Sequence, residues 1–156
     1  MDQCACCSSQ EALVRESSLL RPGGFIALQE FDSASYECYP EHPSWNLLID
    51  IWNETFHAKG GNEFVGRSLP YLLELAGVVR IEMKVHVETA QIGEYRRTHL
   101  LALIESMRAS ILDSGRIGDA ELRQHMRALS EHLANSRFGV RSPNWKANAH
   151  RFFLPS

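Results

Sequence analysis

The stretch Ala12–Asp32, ALVRESSLLRPGGFIALQEFD, decides the fold class. It opens as an amphipathic helix, with Leu13 and Leu20 two turns apart on one face. Just upstream, Ser8-Ser9-Gln10-Glu11 has the capping-box order, in which Ser8 accepts from the backbone N–H three residues on and Glu11 reaches back. Pro22, Gly23 and Gly24 then punctuate the chain, because proline cannot continue the helix and glycine adopts positive φ without a Cβ penalty. Phe25 to Phe31 follows as a nearly continuous apolar run, which predicts a strand covered on both faces, as in a parallel sheet. Helix, glycine turn and buried strand in that order indicate an α/β fold.

Further along, Asp32 to Pro43 is polar, turn-rich and aromatic, and reads as a long loop. Ser44 is placed to cap a helix whose apolar residues Trp45, Leu48, Ile49, Trp52 and Phe56 keep the helical period until Gly60-Gly61. A shorter helix carries Leu69, Leu72, Leu73 and Ala76, closes at Gly77, and holds Pro70 in its first turn, where a missing N–H does no harm. Val79, Ile81, Met83, Val85 and Val87 alternate with charged residues and His86, predicting a strand with one wet face. Glu94 to Ser114 reads as one long helix with Leu100, Leu101, Leu103, Ile104, Met107 and Ile111 inward. Asp119 is placed to cap another, bearing Leu122, Met126, Leu129 and Leu133. Asn144 to Phe153 reads as a last strand. With no repeat or linker, residues 1–156 are expected to form a single domain, residues 1–7 being a frayed tail.

Composition narrows the functional classes. At 156 residues and 44% hydrophobic content the chain can bury a real core. A net charge of -3, with no stretch gathering Lys and Arg, argues against nucleic acid as a partner. No apolar run approaches the roughly 18 residues needed to span a bilayer, and no basic-then-apolar leader opens the chain, so a cytoplasmic protein without a membrane partner is expected. Cys4, Cys6 and Cys7 have no further ligands at zinc-like spacing, and Cys38 and His42 lie far along the chain. Reduced thiols and no metal are the expectation.

Several stretches carry a family resemblance. They are Leu20-Arg21-Pro22-Gly23-Gly24; Gly66-Arg67-Ser68-Leu69-Pro70 with Leu73, Ala76 and Gly77; Gly115-Arg116-Ile117 followed by Asp119-Ala120-Glu121-Leu122; and Ser142-Pro143 with the Trp145 to Arg151 segment. In order and spacing they resemble the C-terminal half of a class I S-adenosylmethionine-dependent methyltransferase of the small-molecule type. The likeness covers Ser8 to Phe153. It implies a partial doubly wound, Rossmann-like sheet of about three strands, with an antiparallel last strand and a helical insertion before it. It also implies methyl transfer from S-adenosyl-L-methionine to a small-molecule acceptor, as in secondary metabolism. The family's glycine-rich turn after its first strand, and the acidic residue ending its second, have no counterpart upstream of Leu20, so no cofactor-binding residue is carried over. The chain therefore reads as a truncated half, either a gene fragment or a half-enzyme. Its open strand edge is expected to recruit a second copy or a partner supplying the missing half.

Active sites of this family sit at the carboxyl ends of the central strands, which implicates Gln29, Glu30 and Asp32. Glu30 or Asp32 can orient or deprotonate an acceptor; the bland reading is a solvated carboxylate at a strand end. His57 and His99 are candidate general bases near neutral pH, or simply helix-end residues, and His86 is expected to be solvated. Trp45, Trp52 and Tyr95 can wall a flat acceptor, although the helical spacing of the tryptophans equally suits a core. Three readings stand: a methyltransferase half, a non-catalytic interaction module pairing through its strand edge, and a cofactor-free acid/base enzyme using His57 or His99.

Overall fold

The computed structural model describes residues 5–135 and 139–150, and they form a mixed α/β chain. The helices are α1 (Ala5–Ser18), α2 (Pro43–Ala58), α3 (Val65–Leu75), α4 (Tyr95–Ser106), α5 (Arg108–Asp113) and α6 (Asp119–Leu133). The strands are β1 (Phe25–Phe31), β2 (Glu37–Tyr39), β3 (Val79–Ala90) and β4 (Gly139–His150). β4 pairs antiparallel with β1 and with β2, and β3 pairs with β4 as well. Two compact units result. One takes residues up to Asp32, Asn62–His86 and the chain from Pro143; the other takes Ser33–Gly61 and Val87–Ser142. Among the described residues no helix is long and apolar enough to cross a membrane.

In the first unit, α1 and α3 cover one face of β1. Leu13, Leu69, Leu72, Leu73, Val78, Ala147 and Ala149 form its core, with Ile26, Leu28, Ile81 and Met83 packed against them. The register runs from Phe25 opposite His150 to Phe31 opposite Asn144. The turn into β1 needs both of its glycines. Gly23 has φ +77°, and a Cβ on Gly24 would come within 2.9 Å of the Arg21 carbonyl oxygen, which accepts the Gly24 N–H at 2.8 Å. Ser17 Oγ donates to the Val14 carbonyl and contacts that of Ala76 beyond α3.

Three expectations fail here, each for a local reason. β1 is not covered on both faces: burial alternates along it, and Phe25 is 60% exposed, because its core contacts come from one side. Helix α1 already runs from Ala5, so Ser8 lies inside it and cannot be its cap; Cys4 lies outside the described residues. Pro70 sits in the second turn of α3, because that helix starts early: Asn62 accepts from the Phe64 and Val65 N–H groups. Along β3 the apolar face is buried only in part, with Val85 and Val87 exposed.

In the second unit, α2, α4, α5 and α6 enclose Leu48, Ile51, Leu100, Ile104, Ile111, Leu122 and Leu129, all essentially inaccessible to solvent. The segment read as loop contains a 3₁₀ turn, Ser33–Ser35, and then β2, whose Cys38 lies opposite Val140. His42, not Ser44, caps α2: Pro43 takes the first helical position, and His42 Nδ1 accepts the Ser44 N–H at 3.2 Å. The expected long helix is broken at Met107, whose φ of -106° and ψ of 7° separate α4 from α5; Arg108 then pairs with Glu105 and Asp119. Gly118 takes the cap position of α6, leaving Asp119 in its first turn. β4 starts earlier than expected, at Gly139, and Phe153 lies outside the described residues.

One side chain ties this unit together. Arg97 is 4% exposed, and its guanidinium donates to the carbonyls of Leu133 (2.5 Å), Asn135 (2.6 Å) and Ala90 (3.4 Å). Charged donors meet carbonyls that α6 leaves unpaired at its end. Arg97→Ala is expected to cost about 3 kcal/mol of stability, read as a lower urea midpoint; Arg97→Lys, which keeps the charge but not the fork, should recover less than half of it.

Candidate functional site

The amphipathic spacing of α2 turns one row of side chains toward β2. Trp45 and Ile49, one turn apart, form an apolar strip, and Asn46, Asp50 and Asn53 form a polar row beside it. Together with the 3₁₀ turn, β2, Thr89 and the start of β4, these residues enclose a cavity of about 660 Å³ within the second unit. That volume suits a small organic ligand.

Aromatic rings set its base. Trp45, 2% exposed, meets the Tyr36 ring edge-on at 4.7 Å, and its Nε1 donates to the Tyr36 carbonyl at 3.2 Å. The Tyr36 hydroxyl donates to the Arg96 carbonyl at 3.3 Å, and burial raises its pKa far above the usual phenol value, so it remains a donor. Burial likewise raises the Cys38 thiol, which points at the Pro40 carbonyl 3.5 Å away. A thiol held protonated is a poor nucleophile. Two residues of the lining each hold a buried polar atom without a hydrogen-bond partner among the described residues: Ser33 Oγ and Asn53 Oδ1.

A histidine cluster lies at the start of α2. The His42 and His132 rings are 4.6 Å apart, His132 Nε2 is 3.0 Å from the Pro40 carbonyl, and Ser44 Oγ is 2.9 Å from His125 Nδ1. The Ser44–His125 pair has the reach of a nucleophile and base, but Ser44 is 4% exposed and neither residue lines the cavity. Among the described residues no three His, Cys, Asp or Glu side chains are arranged to hold a metal ion.

Of the candidate catalytic and acceptor-binding residues, the cavity takes only Trp45; Cys38, weighed as a metal ligand, also lines it. Trp52, 6% exposed, stacks on Phe56 at 5.0 Å in the core. His57 is exposed in the last turn of α2. His99 lies half-buried on α4 with its pKa lowered by burial, its ring 5.1 Å from that of Tyr95, which is 65% exposed. Glu30 and Asp32 belong to the first unit. Glu30 is half-buried, and burial, then the nearby Glu16 charge, raises its pKa. Asp32, 2% exposed, accepts from Arg67 through both oxygens, at 2.8 and 3.1 Å, and anchors the first turn of α3. Sequence reasoning missed Ser33, Glu37, Glu41, Asn46, Asp50 and Asn53. The first three lie in the segment read as loop, and the signal for the others was the polar row Asn46, Asp50, Asn53 beside the apolar stripe of α2.

The histidine cluster makes stability depend on pH. Burial lowers the His42 pKa below its ordinary 6.5, and the His132 and His125 charges act in the same direction. The unfolded chain therefore takes up the proton first, so this contribution is present above 6.5 and lost as pH falls through the folded value. The thermal midpoint is expected to drop between about pH 7.5 and about pH 5.5. His42→Asn, which can still cap α2 but cannot titrate, should flatten that slope.

No protein-family model matches the chain, and no curated protein matches it in sequence.

Proposed function

We propose that this chain supplies the acceptor-binding lobe of a cytoplasmic assembly that transfers methyl groups from S-adenosyl-L-methionine to small molecules. The observation that carries this reading is the placement of the cavity: its lining begins at Ser33, two residues after β1 ends, and continues through the segment and helix that follow. Ligands of doubly wound sheets bind beyond the carboxyl ends of their strands, and the resemblance puts the acceptor there. The antiparallel pairing of β1 with β4 and the Pro22-Gly23-Gly24 turn are in keeping with that lineage.

The described residues do not form a cradle for the cofactor. Four of the five glycines with positive φ, Gly23, Gly60, Gly77 and Gly115, follow helices. Gly93 does lie between a strand and a helix, but a Cβ there would meet nothing within 4 Å, so no close approach is built around it. The cofactor is accordingly assigned to a partner that supplies the missing half. The share of this chain is positional, because holding an acceptor in one orientation away from water supplies much of what a direct displacement needs. A second reading, a non-catalytic module that pairs through β1, draws on the terminal place of β1 in the strand order and on the exposure of Phe25.

Isolated from its native source with whatever it binds, the chain is expected to carry label from methyl-labelled S-adenosylmethionine onto small-molecule acceptors. An intact, folded isolate that transfers no label overturns the catalytic reading and leaves the interaction module.

A further inference from the structure

We propose that two copies of this chain pair antiparallel through the second edge of β3, across residues 81–85, about a two-fold axis at Met83. β4 takes one edge of β3, and among the described residues no strand takes the other. A row of backbone N–H and C=O groups along such an edge is a template for another strand. Lys84, Val85 and His86 are exposed in succession, so both faces of the strand stand open at that point. Val85, 50% exposed, continues the apolar row whose earlier members, Ile81 and Met83, pack on the core of the first unit. Arg80 has φ 55°, outside strand geometry, so the regular ladder begins at Ile81.

An open edge alone accepts many strands; the order of side chains selects a second copy. Two copies related by an axis perpendicular to the sheet keep their faces, so apolar residues meet apolar ones and charged residues meet charged ones. With the axis at Met83, Ile81 lies opposite the second copy's Val85 and Glu82 opposite its Lys84, each pair occurring twice. The adjacent registers are repulsive. An axis at Glu82 sets Glu82 against Glu82 and Arg80 against Lys84, and an axis at Lys84 sets Lys84 against Lys84. Glu82 and Lys84 are both exposed, and among the described residues neither is held in an ion pair. Charge therefore fixes the register, while covering Val85 beside Ile81 extends the apolar face of the first unit. A ladder this short is a small interface, so the dimer is weak and grows with concentration. The pairing engages neither β1 nor the cavity, and it is independent of methyl transfer.

Sedimentation velocity of the purified full chain tests the pairing. A monomer–dimer equilibrium is expected, with dimer populated by about 100 μM chain. Glu82→Lys alone, or Lys84→Glu alone, sets like charges opposite each other twice, and each should raise the dimer Kd about tenfold or more. Both sites are exposed, so each variant should keep the unfolding midpoint of the parent. Mixed in equal amounts, the two single variants should pair with each other near the parental Kd, because every lysine then faces a glutamate. The double exchange, Glu82→Lys with Lys84→Glu, should restore the dimer for the same reason. A folded chain that stays monomeric at that concentration overturns the inference. So does a dimer that neither single variant weakens, which would lie on another surface, or single variants that remain apart on mixing.

Discussion

A buried guanidinium organises the second unit. Removing Arg97 from water carries a penalty of several kcal/mol unless its donors are met, and backbone carbonyls meet them. Those of Leu133 and Asn135 lie at the end of α6, where a helix has no further N–H to offer and its dipole favours positive charge. One side chain therefore resolves two problems, a buried cation and a helix end with orphan acceptors. It also holds the backbone just past α6, at Asn135.

The cavity shows a division of labour along α2. Residues one turn apart on one side, Leu48 and Trp52, go to the core, while Trp45 and Ile49 border both core and cavity. Among the described residues, no side-chain hydrogen bond ties down the polar row beside them. Stability and recognition thus share one helix, each using its own face. His42 caps its start, where the N-terminal end of a helix makes a positive charge unwelcome.

The sequence revealed what local chemistry determines. The Trp45–Phe56 stripe, the alternation of β3 and the Pro22-Gly23-Gly24 turn were legible because each depends on periodicity or on the backbone freedom of neighbouring residues. Gly24 makes the case plainly, since the atom that excludes a side chain belongs to Arg21, three residues away. What escaped depends on distant groups. Asp32 looked like a strand-end carboxylate, and its partner Arg67 lies 35 residues on. The cap of α2 was misplaced by one competition, because Pro43 starts the helix and His42 accepts where Ser44 was expected to. The break at Met107 left no glycine or proline to mark it, and Arg108 bridges to Asp119 just beyond it. In the cavity Trp45 was legible as a binding residue, because aromatic size announces itself. Ser33 Oγ and Asn53 Oδ1 stand out for having no hydrogen-bond partner among the described residues, which no sequence pattern displays.

β4 follows every other described element along the chain, yet β1, β2 and β3 all pair with it. Seven residues of β1 must wait for partners that are made after every other described element. During synthesis the early strand is an unmatched edge carrying exposed Phe25, and closing the pair requires a long excursion of chain to return on itself. Helices α2, α4, α5 and α6 can condense through near neighbours well before that happens. The sheet is then the late event of folding, and the yield of native protein is governed by how long β1 is kept from the wrong strand.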